Sequence, residues 1–335
     1  MATNKPRVYV IGTGGSISCI GESRLDLLNY NYADQHLTID EMVGRIPEAA
    51  EIAKVHAEQF LNVYGGDVLP SQWLALARRI NQIFRDDAGA AGVVVTHGTS
   101  TLEETAYFLN LTVRSPQPVV VTGAMRPPTG LGTDADINLY DAIRVAACPE
   151  AAGKGVLVVL NNEIQAARDV VKTNTSRVET FKSGELGFLG YADADGQVLF
   201  FRASTRAHTA ASEFDVGRIT ALQRVDVVYA YSGVDGIAVR ALVAAGSAGI
   251  VGAGLGSGSA PRAFLDALSA AREGGICVVM ASQSGSGRVM AKRTFVERGF
   301  AVAGNLPPRK IRILLMLALT QTRDIGEIQR MILTY

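Results

Sequence analysis

The stretch GVVVTHGTSTLEETA, residues 92–106, changes its hydrophobic period half-way along. Val93–Val95 form a short continuous apolar run, which is typical of a strand buried on both faces. After Thr96-His97-Gly98, two overlapping S/T-x-x-E patterns begin at Ser100 and Thr101, and this pattern is typical of the capping box that opens a helix. The stretch therefore predicts a buried parallel strand, a tight turn and a helix.

Thr99 and Ser100 fall at the carboxyl end of this predicted strand and at the amino end of the predicted helix. Open α/β sheets bind ligands at that edge, and the amino end of a helix favours negative charge. Helix capping alone explains serine and threonine at this place equally well. The stretch by itself leaves a binding role and a capping role open.

The composition indicates a two-domain α/β protein. The chain has 335 residues, of which 48% are hydrophobic and 19% are charged, and a single domain is usually smaller than this. The 32 basic and 32 acidic residues balance, so we expect neither nucleic acid nor a membrane as a partner. The three cysteines and four histidines are scattered, which predicts neither a metal site nor a disulfide framework.

The amino terminus, residues 1–11, passes directly from a few polar residues into a predicted strand. It lacks the apolar region and cleavage site of a signal peptide. No run approaches the ~18 apolar residues of a membrane span, and the apolar run at 311–320 is short enough to predict a buried helix. We therefore expect a cytoplasmic protein.

Strands alternate with helices along the rest of the chain, which predicts right-handed crossovers and a mostly parallel sheet. The predicted fold is α/β, with a larger N-terminal catalytic domain over 1–202 and a smaller α/β C-terminal domain over 221–335. Residues 203–220 are predicted to link the two domains because residues 203–218 are polar and poor in aliphatic residues. The helical period over 71–84 places four side chains on one buried face: Trp73, Leu76, Ile80 and Ile83.

The first predicted strand, residues 7–11, ends in the glycine-rich turn Gly12-Thr13-Gly14-Gly15-Ser16. Glycines let the backbone approach a ligand closely. The turn fits neither the G-x-G-x-x-G dinucleotide pattern nor a phosphate-binding Walker loop, and we expect no cofactor. The polar residues 20–36 follow it, and a loop of this length often acts as a lid.

Five motifs in one order and spacing resemble those of the bacterial L-asparaginase/glutaminase family, and they are spread over nearly the whole chain. They are Gly14–Ile17 for T-G-G-T-I, Thr96–Ala106 for T-H-G-T-D-T-x-E-E-T-A, Thr122–Pro127 for G-A-M-R-P, Arg168–Asn174 for D-V-x-K-T-N, and Leu317–Thr322 for the closing helix. The resemblance implies an amidohydrolase acting on a small-molecule amide. It also implies homotetramers built from intimate dimers, in which the partner's second domain closes the site.

The resemblance implies two hydroxyl nucleophiles. The first falls on Ser16, with its partner tyrosine on Tyr32 and Tyr30 as the poorer match; the second, a threonine, falls on Thr99, paired with Lys172. The chemistry is consistent with this, because a hydroxyl is a poor nucleophile without a base, and a lysine can act as that base. We expect backbone N–H groups at Gly14–Gly15 and around Thr99 to stabilise the oxyanion, each contributing about 3 kcal/mol.

The positions implied to bind the substrate depart from the family pattern. The aspartate that holds the α-ammonium is replaced by Ser100, and the S-x-D turn that binds the α-carboxylate keeps only its last residue, in Gly65-Gly66-Asp67. The asparagine from the partner subunit falls on Ser257, and the partner's glutamate has no clear counterpart near 292–297. The remaining implied contacts match the pattern: Gly15, Gly98 and Ala124.

Three hypotheses remain open on the sequence. The first is an amidohydrolase whose substrate lacks a free α-ammonium or has a bulkier head group, such as a cyclic amide, imide or lactone. The second is an ordinary L-asparaginase or glutaminase that recognises the head group with substituted residues. The third is a non-enzymatic relative that binds a small ligand, which the joint presence of Ser16, Thr99 and Lys172 disfavours.

Overall fold

The computed structural model describes residues 5–30 and 35–335, which divide into two units, Met1–Val216 and Gly217–Tyr335. The segment predicted as a linker is partly packed within the first unit. Phe214 is buried there, and the Ser212 hydroxyl donates a hydrogen bond to the Leu111 carbonyl. The proposed domain limits 1–202 and 221–335 stay a prediction.

An eight-stranded sheet forms the centre of the first unit. The strands of this unit are β1 (Arg7–Gly14), β2 (Lys54–Val63), β3 (Ala90–Thr96), β4 (Val119–Thr122), β5 (Val156–Leu160), β6 (Glu163–Ala166), β7 (Val171–Lys172), β8 (Phe181–Lys182), β9 (Gly190–Ala192) and β10 (Val198–Phe200). The order across the sheet is β10-β9-β6-β5-β4-β3-β1-β2, and β7 pairs only with β8.

The five strands from β2 to β5 in this order are parallel, whereas β6, β9 and β10 add an antiparallel edge. The helices of the unit are α1 (Ile39–Gly44), α2 (Ala49–Ile52), α3 (Pro70–Asp86), α4 (Leu102–Thr112) and α5 (Ala135–Ala147). The mostly parallel α/β prediction is confirmed, while the antiparallel edge did not follow from the sequence.

The predicted strand at the centre of the sheet is β3, which lies between β1 and β4. Val93–Val95 are completely buried, because this strand has neighbours on both sides and helices against the sheet. The predicted face of α3 is also buried: Trp73, Leu76, Ile80 and Ile83. Since β1, β3 and β4 are parallel, the turns that follow them open at one edge of the sheet.

The second unit contains a four-stranded parallel sheet, which confirms the prediction of a smaller α/β unit. Its elements are β11 (Val225–Tyr229), α6 (Ile237–Ala244), β12 (Gly249–Gly254), α7 (Arg262–Glu273), β13 (Cys277–Ser282), α8 (Arg293–Glu297), β14 (Ala301–Val302), α9 (Pro308–Ala318) and α10 (Ile325–Thr334). Helix α9 carries most of the apolar run at 311–320, and its apolar side chains are buried as predicted. Across the described residues, every helix is too short or too polar to cross a membrane.

Candidate active site

Three glycines bring the turns after β1, β2 and β3 into backbone contact. A Cβ atom at Gly15 would collide with the Cα and N atoms of Gly98, and one at Gly65 would lie 2.9 Å from the Cα of Gly98. Gly15 also has a φ of +87°, which a residue with a side chain rarely adopts. The contact places Ser16 and Thr99 in adjoining turns at the carboxyl edge of the sheet.

The Thr99 hydroxyl forms a direct hydrogen bond with a lysine. Lys172 Nζ donates to Thr99 Oγ1 at 2.9 Å, and Thr99 is only 5% exposed. Lys172 lies on the short strand β7, and its backbone N–H donates to Glu103 Oε2 at 2.6 Å. Glu103 is buried in the first turn of α4, so this helix fixes the strand that carries the lysine.

The capping boxes predicted at the start of α4 are not formed. Thr101 is the N-cap residue, but no side chain caps the helix. Thr101 Oγ1 donates to the Gly65 carbonyl, Ser100 Oγ donates to the hydroxyl of Tyr64 at 3.3 Å, and Glu103 accepts from the Lys172 N–H. These side chains bond to neighbouring loops instead, and the amino end of α4, which follows Thr99 closely in the chain, has no side-chain cap.

A buried chain of hydrogen bonds fixes the peptide that precedes Thr99. Trp73 Nε1 donates to Thr105 Oγ1 at 2.8 Å, and Thr105 Oγ1 lies 2.8 Å from His97 Nε2. Because the Gly98 carbonyl beside Nδ1 can only accept, the histidine proton lies on Nδ1, and Nε2 accepts the Thr105 proton. Nδ1 is 2.9 Å from the Gly98 carbonyl oxygen, which it holds. Burial lowers the pKa of His97 to about 4, so the ring is neutral at pH 7.

The turn after β4 packs against the same threonine. A Cβ atom at Gly123 would lie 3.2 Å from Thr99 Cγ2 and 2.6 Å from the His97 carbonyl oxygen. Ala124, which follows, is completely buried. The Asp134 carboxylate accepts from the N–H groups of the two residues after Ala124, each at 2.9 Å. This turn thus forms a fixed wall beside Thr99.

Ser16 is 7% exposed and lies directly after the contact between Gly15 and Gly98. Its predicted partner, Tyr32, lies outside the described residues. The alternative, Tyr30, is buried, and its hydroxyl donates to the Met125 carbonyl at 3.4 Å.

The expected oxyanion donors need one correction. The Gly15 N–H donates to the Val63 carbonyl at 3.0 Å, so it is not available to a substrate. The N–H groups of Ser16 and Thr99 have no acceptor within residues 5–30 and 35–335. These two groups, rather than that of Gly15, are free to face a ligand.

Gly65-Gly66-Asp67 form a single 3-10 turn after β2. Gly65 is buried, while Gly66 and Asp67 are exposed. The Asp67 N–H donates to the Tyr64 carbonyl at 2.9 Å, which closes the turn. No cluster of three or more His, Cys, Asp or Glu side chains that could hold a metal ion occurs in the part of the chain that the structure describes.

In the second unit, Ser257 lies in the glycine-rich loop that follows β12. Lys292 Nζ donates to Ser257 Oγ at 2.6 Å and to Ser259 Oγ at 3.1 Å. The serine that the resemblance aligns with an asparagine is therefore hydrogen-bonded to a lysine from another part of this unit.

Comparison with known families agrees with this architecture. The family model "Asparaginase, N-terminal" matches residues 7–206, and "Glutaminase/Asparaginase C-terminal domain" matches residues 224–332. The chain belongs to the asparaginase family. The predicted family membership is confirmed, and so is the predicted enzyme class of asparaginase-like amidohydrolases, which act on C–N bonds other than peptide bonds.

Relatives in the asparaginase family align with almost the whole chain. "L-asparaginase 2" of Bacillus subtilis is 42% identical over 324 residues, which cover 97% of this chain and 85% of the relative. "Glutaminase-asparaginase" of Pseudomonas fluorescens is 38% identical over 99% of this chain and 91% of its own length. The crystal structure of the probable cytoplasmic L-asparaginase from Campylobacter jejuni superposes with a TM-score of 0.94, at 41% identity, covering 99% of this chain and all of that one.

Sequence reasoning on this asparaginase-family chain missed three parts of the site. Glu103 was interpreted only as a capping residue, although a buried carboxylate in a first turn is also free to bind a neighbouring loop. Trp73 was interpreted as core, but its indole N–H needs an acceptor when buried, which is a signal for a buried polar partner. Tyr64 gave no signal, because its contacts with Gly66 and Ser100 depend on how two turns meet.

Proposed function

We propose that the protein hydrolyses a carboxamide through the hydroxyls of Ser16 and Thr99, with Lys172 as the base for Thr99. The observation that supports it most strongly is the 2.9 Å hydrogen bond between Lys172 Nζ and Thr99 Oγ1. The open amino end of α4 and the available N–H groups of Ser16 and Thr99 add donors for a developing oxyanion.

In the proposed reaction Lys172 is in its neutral amine form, so the 2.9 Å contact runs in the other direction, with Thr99 Oγ1 donating to Nζ. Nζ takes that proton as the oxygen attacks the amide carbon. The tetrahedral oxyanion collapses and the C–N bond breaks as Nζ passes its proton to the leaving nitrogen, which departs as ammonia and leaves Nζ neutral again. Water then attacks the resulting ester and passes a proton to Nζ, and the acid is released with the hydroxyl restored. Ser16 is the second hydroxyl that can carry the acyl group, and the mass of a trapped acyl-enzyme peptide assigns it.

The test of this mechanism is ammonia release by Thr99→Val and Lys172→Met. We expect each change to lower kcat by at least about a thousandfold, as removal of a nucleophile or its base does, while Thr99→Ser keeps measurable activity. Lys182→Met is the matched control, because Lys182 lies on the strand paired with β7 and its Nζ binds Glu163. Unchanged ammonia release by folded Thr99→Val overturns the mechanism.

We further propose that the substrate lacks a free α-ammonium. Ser100 and the turn at 65–67 support this, because the carboxylate that would pair with an ammonium is replaced by a hydroxyl bonded to Tyr64. A buried ammonium without a carboxylate loses a charge-assisted hydrogen bond and keeps its desolvation cost. Breaking such a pair costs about 3–5 kcal/mol, or roughly two to four decades in kcat/KM.

A second candidate is an L-asparaginase or glutaminase-asparaginase with compensated recognition of the head group, as the names of the relatives favour. A panel of asparagine, glutamine, succinamate, glutaramate and simple cyclic imides separates the two. Ammonia release reports the open-chain amides, and loss of ultraviolet absorbance reports ring opening of the imides. Asparagine as the best substrate establishes the second candidate, whereas turnover of the analogues without turnover of asparagine supports the first.

We also propose a homotetramer built from intimate dimers, in which Ser257 of one subunit reaches the site of another. The resemblance to the family supports this, and light scattering of the purified protein tests it. A cytoplasmic location is proposed from the sequence and from the description of the Campylobacter jejuni protein as cytoplasmic. Cell fractionation tests it, and recovery in a periplasmic fraction contradicts it.

A further inference from the structure

Tyr64 lies next to Ser100 and is hydrogen-bonded to it. Its hydroxyl accepts a hydrogen bond from Ser100 Oγ at 3.3 Å, although the two residues belong to turns after different strands. The residue is 48% exposed, so nearly half of a large aromatic surface is open to a ligand. The contact replaces a charged position with two neutral hydroxyls.

The ring of Tyr64 is held over Gly66. A Cβ atom at Gly66 would lie 2.9 Å from Tyr64 Cε1 and 3.3 Å from Cδ1, so the ring occupies the space that a side chain at 66 would need. Gly65 is pressed against Gly98, and its carbonyl accepts from Thr101 Oγ1. The turn is thereby fixed on both sides, and the ring has a defined place.

We propose that Tyr64 determines substrate choice by presenting its ring face and its hydroxyl to a flat, uncharged head group. This inference rests on the proposed function, since it places that group on a substrate whose carboxamide is cut at Thr99. The substrate class is a primary carboxamide carried a short distance from an aromatic or lactam-like ring.

The chemistry of the contact explains this class. Ser100 donates to the phenol oxygen, so the phenol proton points elsewhere, and no acceptor for it lies among the residues that the structure describes. A ring nitrogen or carbonyl oxygen on the substrate would accept that proton. The exposed ring face favours offset stacking with another flat ring. An ammonium, in contrast, gains no carboxylate from Ser100 or Tyr64.

The probes are 3-phenylpropanamide and 3-(pyridin-3-yl)propanamide, which differ by one ring acceptor, with succinamate as the open-chain reference. We expect Tyr64→Ala to lower kcat/KM for both ring amides by at least about tenfold, and that for succinamate by no more than about twofold. Tyr64→Phe keeps the ring, so we expect it to affect only the pyridyl amide, by about fivefold.

Two further variants separate the ring position from folding. Gly66→Ala displaces the ring without touching the hydroxyl of Ser100, and we expect it to reproduce the loss seen for Tyr64→Ala. Gly44→Ala is its control, because a Cβ atom at Gly44 meets nothing within 4 Å. Calorimetric binding of 3-phenylpropanamide to Thr99→Val, with and without Tyr64→Ala, gives a readout that does not depend on turnover.

The outcomes distinguish the two proposals. If Thr99→Val releases ammonia as fast as the wild type, the proposed function is wrong. If Thr99→Val is inactive but the ring amides are no better than succinamate, or if Tyr64→Ala lowers all three equally, the role of Tyr64 is wrong and the mechanism stands. If no amide is turned over, equal binding of 3-phenylpropanamide with and without Tyr64 also overturns it.

Discussion

Replacing Thr105 by valine removes the central hydroxyl of the buried chain that ends at the Gly98 carbonyl. Valine keeps the shape of threonine, but Trp73 Nε1 and His97 Nε2 each lose a partner at 2.8 Å. Thr105 and His97 are fully buried and Trp73 is nearly so, so water cannot take the place of the hydroxyl. The substitution therefore leaves two buried polar groups without a hydrogen bond.

Each buried polar group left without a partner costs about 1–3 kcal/mol. Two such groups predict that Thr105→Val lowers the free energy of unfolding by roughly 2–6 kcal/mol. Thr112→Val is the matched control, because Thr112 is a buried threonine of the same helix whose hydroxyl donates to the Phe108 carbonyl. That carbonyl keeps its bond within the helix, so we expect a loss of less than about 1 kcal/mol.

Urea denaturation followed by tryptophan fluorescence measures both losses. The protein has one tryptophan, Trp73, whose indole donates to Thr105. The fluorescence therefore reports on the hydrogen bonds that the substitution changes. Nitrogen NMR of His97 adds a direct readout, because the proton is expected on Nδ1 in the wild type. Far-ultraviolet circular dichroism checks that the variants remain folded at the temperature of the assay.

The hydrogen bonds from Trp73 through Thr105 and His97 to Gly98 also position the proposed nucleophile. We therefore expect Thr105→Val to affect catalysis as well as stability. With Gly98 released, we expect kcat to fall at least about tenfold with KM within about twofold, since small displacements of a nucleophile are costly. Thr105→Ser, which keeps the hydroxyl, is expected to retain most of kcat. Equal losses of stability in Thr105→Val and Thr112→Val, or an unchanged kcat, refute the reasoning.

Three more predictions follow from buried groups and close contacts. The folded-state pKa of His97, about 4, is below the unfolded value near 6.5, so the stability of the wild type relative to His97→Asn should fall by about 3 kcal/mol as the pH is lowered from 7 to 4 in urea titrations. Burial raises the pKa of Asp141 to about 6, so the stability of the wild type relative to Asp141→Asn should instead fall by about 2 kcal/mol as the pH rises from 4 to 7. Parallel pH curves for wild type and variant contradict either assignment. Gly15→Ala should abolish activity and destabilise the fold by several kcal/mol, because its Cβ meets the Gly98 backbone, whereas Gly153→Ala, with a φ of +72° and open space, should cost only about 1 kcal/mol on thermal unfolding.

The sequence predicted the elements that its local pattern determines. The run Val93–Val95 is buried because it lies at the centre of a sheet, and the period of α3 gave its buried face. The strands β6, β9 and β10 escaped prediction because each has only three or four residues and gains its stability from pairing with distant strands. The packing of Phe214 escaped prediction for the same reason, since nothing local indicates what an isolated phenylalanine in a polar segment contacts.

The residue types of the candidate site could be named from the sequence. The contacts between those residues could not, because they depend on how distant turns meet. Thr99 and Lys172 are 73 positions apart, and only the family motifs placed them together before the structure gave their contact. The predicted capping boxes failed because a hydroxyl at a helix terminus has several acceptors within reach. Thr101 bonds to Gly65 and Ser100 bonds to Tyr64, so their local pattern was correct for the helix and wrong for its partners.

The three departures from the family pattern at Gly65, Gly66 and Ser100 are structurally connected. Gly66 leaves space for the ring of Tyr64, and Ser100 donates to the hydroxyl of that ring. Gly65 permits the close approach to Gly98 that brings the two turns within reach of each other. If only Ser100 is changed to aspartate, its carboxylate would accept the phenol proton of Tyr64, which competes with binding of an ammonium. If only Gly66 is given a side chain, that side chain would collide with the ring. Energies of residues in contact are not additive, so we expect that no single reversion at these positions restores recognition of an ammonium.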